Sequence, residues 1–437
     1  MHSRANHVRC LSFAVASVLT AMASTAFALQ PLEEFLRGAR TANPRNKEAQ
    51  ATLMQRTAEA DVSTARLYPA LTASGTYTRN QYEIALALPP ALGGNGQTIV
   101  IQPQNQLDAA VTLTVPIVDV GAWERRAAAK AAADVASASQ AATSLEIEKG
   151  VVRAYYQLVG QDAVHEAARR SLEVMRKNET VVRDRRASGT ASELDVQRSV
   201  AEVARAEGDV ASAELAVINA RRSLATATYV EPAPSSEFPT DDLHEETALA
   251  GWLAAAAKTP DVVSARAARR SAEKAADAAE ASWLPTLSGS AQERFTNATA
   301  FSGRNSLYLL QLTLAWRLDA TLPANVRAFH AVAAGSVARA ERAERDAEDA
   351  VFQSWHQIGA NIKRARAARA QLSAAKFAAQ LAADRYAGGV ATQLEVTQAQ
   401  QDAFRAEVSR IQADTDIAYA RAALRLSSGR PIGAVVP

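Results

Sequence analysis

Two halves of this chain carry the same pattern, and this internal repeat restricts the possible folds more than any other feature. The segment 189–196, GTASELDV, returns 200 positions later at 389–396 as GVATQLEV. Earlier in each half, Tyr-Pro-x-Leu at 68–71 matches Leu-Pro-x-Leu at 284–287, at an offset of 216. The offsets differ by 16, so the first half contains an insertion of that length ahead of Asp119. We therefore expect two copies of one structural unit.

The repeat predicts five segments along the chain. They are a signal peptide at 1–28, a first copy at 29–230, a linker at 231–260, a second copy at 261–430 and a tail at 431–437. Each copy is expected to run in the order helix, β-hairpin, long helix, tight turn and returning helix.

The first segment has the parts of an export signal. Two arginines precede an apolar core at 11–22, and small residues end at Ala28, where we expect cleavage. The apolar core is shorter than the roughly 20 residues that a membrane-spanning helix needs. The sole cysteine, Cys10, lies in the part to be removed, so the mature chain is expected to contain no disulfide and no acylated cysteine.

Each copy contains two stretches in which a strand is expected. Apolar and polar residues alternate with a period of two at 71–78, 111–115 and 310–317. This alternation predicts strands with one apolar and one polar face. We expect four strands of roughly 10–15 residues, which is longer than the usual 5–6.

Two architectures fit these strands. In a soluble protein they would form an antiparallel sheet covered on one side by helices. In a membrane they would form a barrel wall with lipid outside and a wet lumen inside. Because four strands cannot close around water, and hydrocarbon does not tolerate an open sheet edge, several chains would have to share a membrane barrel. Three chains would give about 12 strands.

The remaining pattern is helical. It runs almost without interruption over 120–188, which is roughly 100 Å at 1.5 Å per residue. The returning helix at 191–228 is shorter than this long helix. If the separate helix at 45–67 stacks end to end with it, the two together nearly match the length of the long helix. The second copy repeats this arrangement at 320–387, 391–427 and 261–283. These helices predict a tube of paired coiled coils that continues from the strands.

Charge and motif content exclude several functions. Without residues 1–28 the chain carries 46 basic and 46 acidic side chains, and this balance does not favour a nucleic-acid-binding protein. The sequence contains no P-loop, no Gly-x-Ser-x-Gly motif and no pair of histidines spaced i, i+4. We therefore expect no enzyme activity, no catalytic or metal site and no cofactor.

The repeated turns, the two x-Pro-x-Leu motifs and Val-Pro-Ile-Val-Asp at 115–119 resemble the TolC-like outer-membrane factor family, also called outer membrane efflux proteins. The resemblance covers 29–430. It implies a mixed, mainly α fold, the TolC-like α/β barrel. In this fold a trimeric 12-stranded transmembrane β-barrel with four strands per chain continues into a long α-helical coiled-coil tunnel in the periplasm. Arg317 departs from the pattern, because the first copy has Pro116 there.

The resemblance also implies a function. The chain would be the exit duct of a tripartite efflux or type I secretion system in the outer membrane of a Gram-negative bacterium, with a large periplasmic portion. A homotrimer in contact with outer-membrane lipid would act as a passive conduit. A periplasmic adaptor, or membrane fusion protein, would couple it to a proton-driven or ABC pump in the inner membrane. The cargo class is not readable from the sequence.

By the same resemblance, the repeated turns lie at the periplasmic tip, which opens and closes. Relatives narrow the aperture with acidic rings, which correspond here to Glu395 and, one turn on, to Gln398. A closed-state contact would involve Tyr386 and Asp195, while the arginine of that contact is replaced by Ala391. The turns that meet the adaptor would present Gly189, Ala191, Leu194, Val196, Gly389, Ala391, Leu394 and Val396.

Two further expectations depend on this topology. The inserted loop around 89–96 would lie on the extracellular side, where barrel loops are longer. A soluble periplasmic coiled-coil scaffold stays open as an alternative function, although it would leave the two-faced strands unexplained.

Overall fold

The computed structural model describes residues 29–87, 98–234, 238 and 240–430. The predicted signal peptide with Ala28, the inserted loop around 89–96 and the tail at 431–437 lie outside the described residues. The division into repeats, linker and tail stays a prediction.

Helices make up most of the described chain. They are α1 (Leu32–Ala42), α2 (Pro44–Ala65), α3 (Val120–Ala187), α4 (Glu193–Thr228), α5 (Leu249–Ala256), α6 (Pro260–Glu280), α7 (Thr321–Ala387) and α8 (Gln393–Ser427). The 68 residues of α3 extend for about 100 Å. Its start is fixed by Asp119, whose side chain accepts a hydrogen bond from the Ala122 backbone N–H at 2.7 Å. None of the described helices combines the length and apolar character of a membrane span.

Each short helix, α2 or α6, lies end to end with a returning helix, α4 or α8, and both pack beside a long helix, as the sequence predicts. Helix α3 packs against both α2 and α4, and α7 packs against both α6 and α8. The Asn43 side chain, at the start of α2, donates to the Ala227 carbonyl near the end of α4 at 3.0 Å. Helix α1 is an addition that the sequence pattern does not reveal. Its buried Phe35 and Leu36 pack against α3 and α4.

Four strands form an antiparallel sheet in the order β1 (Ala70–Arg79), β4 (Asn105–Val118), β5 (Thr286–Thr296) and β6 (Ser306–Ala315). Each has 10 to 14 residues, within the predicted range. A smaller sheet pairs β2 (Ile84–Ala87) with β3 (Thr98–Gln102). This second hairpin lies in the insertion, where the sequence predicts only loop. Strand β6 ends at Ala315, and the Arg317 side chain pairs instead with Asp319 at 2.8 Å.

The linker is held against α7 and α8 by a buried charge cluster. The Arg421 guanidinium of α8 donates to Asp241 at 2.7 Å, to Glu246 at 2.6 Å and to the His244 carbonyl at 2.8 Å. Helix α5 adds the fully buried Trp252 to the core between α7 and α8. The linker therefore forms part of the helical body.

Candidate functional site

The two turns that join the long helices to the returning helices have the same backbone geometry. Gly189 and Gly389 both lie in the left-handed region, at φ 79° and 76°, where glycine avoids the steric cost of a side chain. The Thr190 N–H donates to the Arg185 carbonyl at 2.8 Å, and the Val390 N–H donates to the Arg385 carbonyl at 2.9 Å. These are helix C-caps, and each reverses the chain within a few residues.

The first turn is closed by its own side chains. Asp195 accepts hydrogen bonds from the Ser192 backbone N–H at 3.1 Å and from the Ser192 hydroxyl at 2.7 Å. The Ser192 hydroxyl in turn caps the Asp195 backbone N–H, which completes a capping box. Arg186 and Glu193 add an ion pair at 3.6 Å across the turn.

The second turn has neither the capping box nor the ion pair. Tyr386 and Gln393 stand at the positions of the ion pair. The Glu395 N–H is capped by the Thr392 hydroxyl at 3.3 Å. Among the described residues, however, no hydrogen bond to the Glu395 carboxylate is recorded, and the residue is exposed. The acid of the first turn is therefore used to cap a helix, whereas the acid of the second turn faces solvent.

Arg185 links the two turns. Its Nη2 donates to the Ala387 carbonyl at 2.7 Å, across 202 positions of sequence. Its guanidinium carbon also lies 4.3 Å from the centre of the Tyr386 ring, within cation–π range. The ring packs against Val182 and Val396, and these three side chains form what we call the tip cluster. One arginine of the first turn thus holds the backbone and the aromatic ring at the end of α7.

The structure separates the predicted tip residues into two groups. Leu194 and Leu394 are more than half exposed, and Gln398 is exposed one turn beyond Glu395. Val396 is only 1% exposed, because it packs inside the tip cluster. The prediction that Val396 touches an adaptor therefore does not fit this conformation.

Of the remaining predicted residues, Val196 and Ala391 are half-buried and pack against the tip cluster, while Ala191 is half-buried in the first turn. They support the turns from inside, together with the capping glycines.

The predicted contact between Asp195 and Tyr386 is not formed in this structure. The Asp195 carboxylate is occupied by the capping box, and the Tyr386 ring contacts Arg185 instead. The sequence does not reveal the role of Arg185. The repeat aligns it with Arg385, and no local motif marks either arginine as part of a contact between the turns. Val390 was also missed. It is 71% exposed at the apex of the second turn.

At the other end of the long helices, the sheet has two chemically different faces. Register places Leu71 opposite Leu113, Leu113 opposite Ala291, and Ala291 opposite Leu310, so these four residues share one face. The largest side chains on this face are strongly exposed, for example Leu312 at 67%. The other face carries mainly hydroxyl and amide groups, together with Leu307 and Leu309 near the loop end of β6. Its polar members are Thr72, Ser74, Thr76, Thr112, Thr114, Ser288, Ser290, Gln292, Gln311 and Thr313.

One ion pair lies on the polar face near the loop end of the strands. Arg294 Nη2 and Nε donate to Asp108 Oδ1 at 2.6 and 3.0 Å. Gln106 donates to the other oxygen of Asp108 at 2.7 Å. Because the two charges neutralise each other, this part of the polar face carries little net charge.

Solved structures with the same architecture span nearly the whole chain. The outer membrane protein VceC of Vibrio cholerae gives a TM-score of 0.75 at 19% identity, covering 92% of this chain and 96% of that one. The CmeC outer membrane channel of Campylobacter jejuni gives 0.77 at 14% identity, covering 98% and 94%. The open state of the MtrE outer membrane channel of Neisseria gonorrhoeae gives 0.75 at 19% identity, covering 92% and 90%. These likenesses show a shared fold.

A comparison with curated proteins finds no match. The sequence profile described as Outer membrane efflux protein matches residues 36–228 and 254–430, which is well over half of the chain. The family resemblance and the TolC-like, mainly α fold class expected from the sequence are both confirmed. The chain therefore belongs to the outer membrane efflux protein family.

Proposed function

We propose that three copies of this chain form an exit channel in the outer membrane of a Gram-negative bacterium. Each copy contributes its four-stranded sheet to one shared barrel and its helices to one periplasmic tunnel. The channel is a passive conduit, and energy comes from an inner-membrane pump, proton-driven or ABC, through a periplasmic adaptor.

The observation that carries this proposal is the exposed apolar face of the sheet. Side chains such as Leu71, Leu310 and Leu314 are each at least 70% exposed in the single chain. A contiguous apolar surface of this kind marks a membrane or protein contact. The same strands are polar on the opposite face, which is the alternation of a barrel wall between lipid and water. A soluble scaffold would gain nothing from this arrangement.

The sheet is also open at both edges, and the edges are complementary. Every neighbouring pair in the order β1-β4-β5-β6 is antiparallel, so β1 and β6 run in opposite directions. Strand β6 of one copy can therefore pair with β1 of the next copy as a further antiparallel neighbour. Three four-stranded sheets would close into twelve strands with no edge left in hydrocarbon.

At the tip, the two turns suggest a gate with distinct parts. Glu395 supplies an exposed carboxylate that three copies would bring together around the channel axis. Such a ring favours cations at the narrowest point. Leu194, Val390 and Leu394 offer exposed apolar side chains at the outermost turns, where an adaptor would bind. Arg185 keeps the second turn against the first.

The proposal is tested by reconstitution. The protein extracted from the membrane fraction with detergent is added to a planar lipid bilayer, and current is recorded at fixed voltage. We expect stepwise ion conductance from the assembled protein and none after heating has dissociated it. Recovery of the protein in the soluble periplasmic fraction, with no conductance, would support the scaffold alternative.

A further inference from the structure

Helix α4 carries a second packing stripe on the side that faces away from α3. The residues that α4 buries next to α3 include Ala206, Ala213 and Ala220. About half a turn from them, exposed apolar residues recur at alternating intervals of three and four: Ala201, Ala204, Gly208, Ala211, Leu215 and Ile218. This interval is the repeat of a coiled-coil seam, which needs a second helix. We call these six residues the α4 seam.

Helix α7 carries a similar stripe on the side that faces away from α8. Ala365 and Ala368 are buried in the core that α7 shares with α8. On the opposite side, exposed residues recur at the same alternating intervals, and all but one of them are apolar: Ala360, Lys363, Ala367, Ala370, Ala374, Phe377 and Leu381. We call these residues the α7 seam. At 72% exposure, Phe377 is the most exposed phenylalanine of the described residues.

Gly208 has no packing role within one chain. It lies inside α4, and a β-carbon added to it would meet no neighbouring element within 4 Å. Glycine in the interior of a helix is destabilising relative to alanine. Close approach of another helix accounts for this glycine, because the distance between helix axes depends on the size of the side chains at the contact.

The proposed barrel brings the two seams together, because it places β6 of one copy next to β1 of the next. Strand β6 leads into α7, whereas β1 follows α2. Helix α2 in turn stacks on α4, where the Asn43 side chain donates to the Ala227 carbonyl. Therefore α7 of one copy lies beside α2 and α4 of the next copy. Helices α7 and α4 run in opposite directions, since α7 runs towards the tip and α4 runs away from it.

The tip cluster shows which residues of the two seams lie at the same height. Val196 of α4 packs against the cluster that contains Tyr386 of α7, so these two positions are level. Rotation about a tunnel axis parallel to the helices keeps this height, so the relation also holds between copies. Counting away from the tip by equal numbers of residues gives level pairs: Ala201 with Leu381, Ala204 with Phe377 to within one residue, Gly208 with Ala374, and Leu215 with Ala367. Each large side chain of one seam is therefore level with a small residue of the other.

We propose that the α7 seam of one copy packs antiparallel against the α4 seam of the next copy, with Phe377 and Leu381 seated over small residues of α4. The inference rests on the proposed function, because the shared barrel sets the two helices next to each other. The small residues let the helix axes approach to about 8 Å, the lower end of the usual range. The aliphatic stem of Lys363 then covers Ile218, while its ammonium stays in water.

Cross-linking of membrane-extracted protein tests the pairing and its height. The predicted mature chain contains no cysteine, so Ala374→Cys is combined with Gly208→Cys and treated with a short thiol-specific cross-linker. We expect covalent dimers and trimers of the chain. The control combines Ala374→Cys with Ile218→Cys, which lies on the same seam about 15 Å further from the tip, and should give several-fold less product. Absence of dimers and trimers from the first pair, or equal yields from both pairs, would overturn the proposal.

Exchange of a large and a small residue tests the packing itself. Phe377→Ala removes a large side chain and Ala204→Phe adds one; both positions are exposed in the single chain, so neither change should disturb its own fold. We expect each variant to lower the temperature at which the assembled species dissociates, and the combination of the two to recover it. Phe377→Ala with Ala211→Phe is the control and should not recover, because Ala211 lies about 10 Å from Ala204 along α4. An unchanged dissociation temperature for Phe377→Ala, or equal recovery in both combinations, would show that the seams do not pair.

Failure of the seam pairing is distinguishable from failure of the channel proposal. Recovery of the parent protein in the membrane fraction and its conductance are measured first. If the parent protein does not assemble in membranes, the proposed function fails and the seams lose their proposed partner. If it assembles and conducts, but the Ala374→Cys and Gly208→Cys pair gives no product or a product only with a different protein, the seam pairing alone is wrong.

Discussion

Removal of Arg185 should release the second turn from the first. Arg185→Ala deletes one charged hydrogen bond to the Ala387 carbonyl and one cation–π contact with Tyr386. For partly exposed groups these contacts together stabilise the packing of the second turn against the first by about 1–2 kcal/mol per chain. In the proposed trimer, three such contacts would contribute about 3–6 kcal/mol, which is enough to change which arrangement of the tip is populated.

The effect is measured as single-channel conductance and open probability in planar bilayers. We expect Arg185→Ala to raise both. Arg186→Ala is the matched control, because Arg186 is the neighbouring arginine and pairs with Glu193 within its own turn. The control variant should keep the closed conductance of the parent protein. Equal behaviour of the two variants would refute the role of Arg185.

Tyr386→Phe distinguishes the contact seen in the structure from the one expected by resemblance. The variant keeps the aromatic ring under Arg185 and removes only the hydroxyl, so conductance should stay near that of the parent. If the hydroxyl instead bonded to Asp195 in the closed channel, Tyr386→Phe and Asp195→Asn would both open it. That outcome would mean that the Arg185 contact does not hold the assembled channel closed.

Four further variants test the aperture, the barrel and the linker. Glu395→Gln should weaken the block of conductance by divalent cations, and Gln398→Glu should strengthen it. The reason is that the two positions lie one turn apart on α8. If neither variant changes the block, Glu395 does not face the lumen. Asp108→Asn should leave Arg294 unpaired on the polar face of the sheet. The reversal potential in a salt gradient should then shift towards anion selectivity. An unshifted potential would mean that this face does not line the pore. Arg421→Met should leave two buried carboxylates of the linker without their partner. The free energy of local opening of the linker, measured by hydrogen exchange, should fall by about 3–5 kcal/mol. Unchanged exchange rates in the linker would show that the charge cluster does not hold it in place.

The regular parts of the fold were predictable because their periodicities are strong. Prolines 69 and 285 follow the short helices, and the period-two alternation then marks the strands. Helix α1 was not predictable, because an 11-residue helix is marginal alone and depends on packing Phe35 into the core. The β2–β3 hairpin was missed because it flanks a Pro- and Gly-rich stretch that is typical of loops.

The tip shows a different limit. The repeat and the resemblance located both turns and both acids, Asp195 and Glu395. They did not reveal that one acid folds back onto Ser192 while the other stays free. That difference depends on side-chain length and local capping geometry. The Arg185 contact depends on how two hairpins pack across about 200 residues, and no local pattern carries that information.

The central claim is that the open edges of the sheet pair between copies of the chain. The predicted mature chain contains no cysteine, so introduced pairs can be read without background. Thr76→Cys on β1 is combined in turn with cysteine at Leu309, Gln311 or Thr313 on β6, and mild oxidation is followed by denaturing electrophoresis of membrane-extracted protein. The account predicts that at least one combination gives covalent dimers and trimers and nothing larger. Monomers alone from every combination, or a ladder that continues beyond three chains, would contradict it.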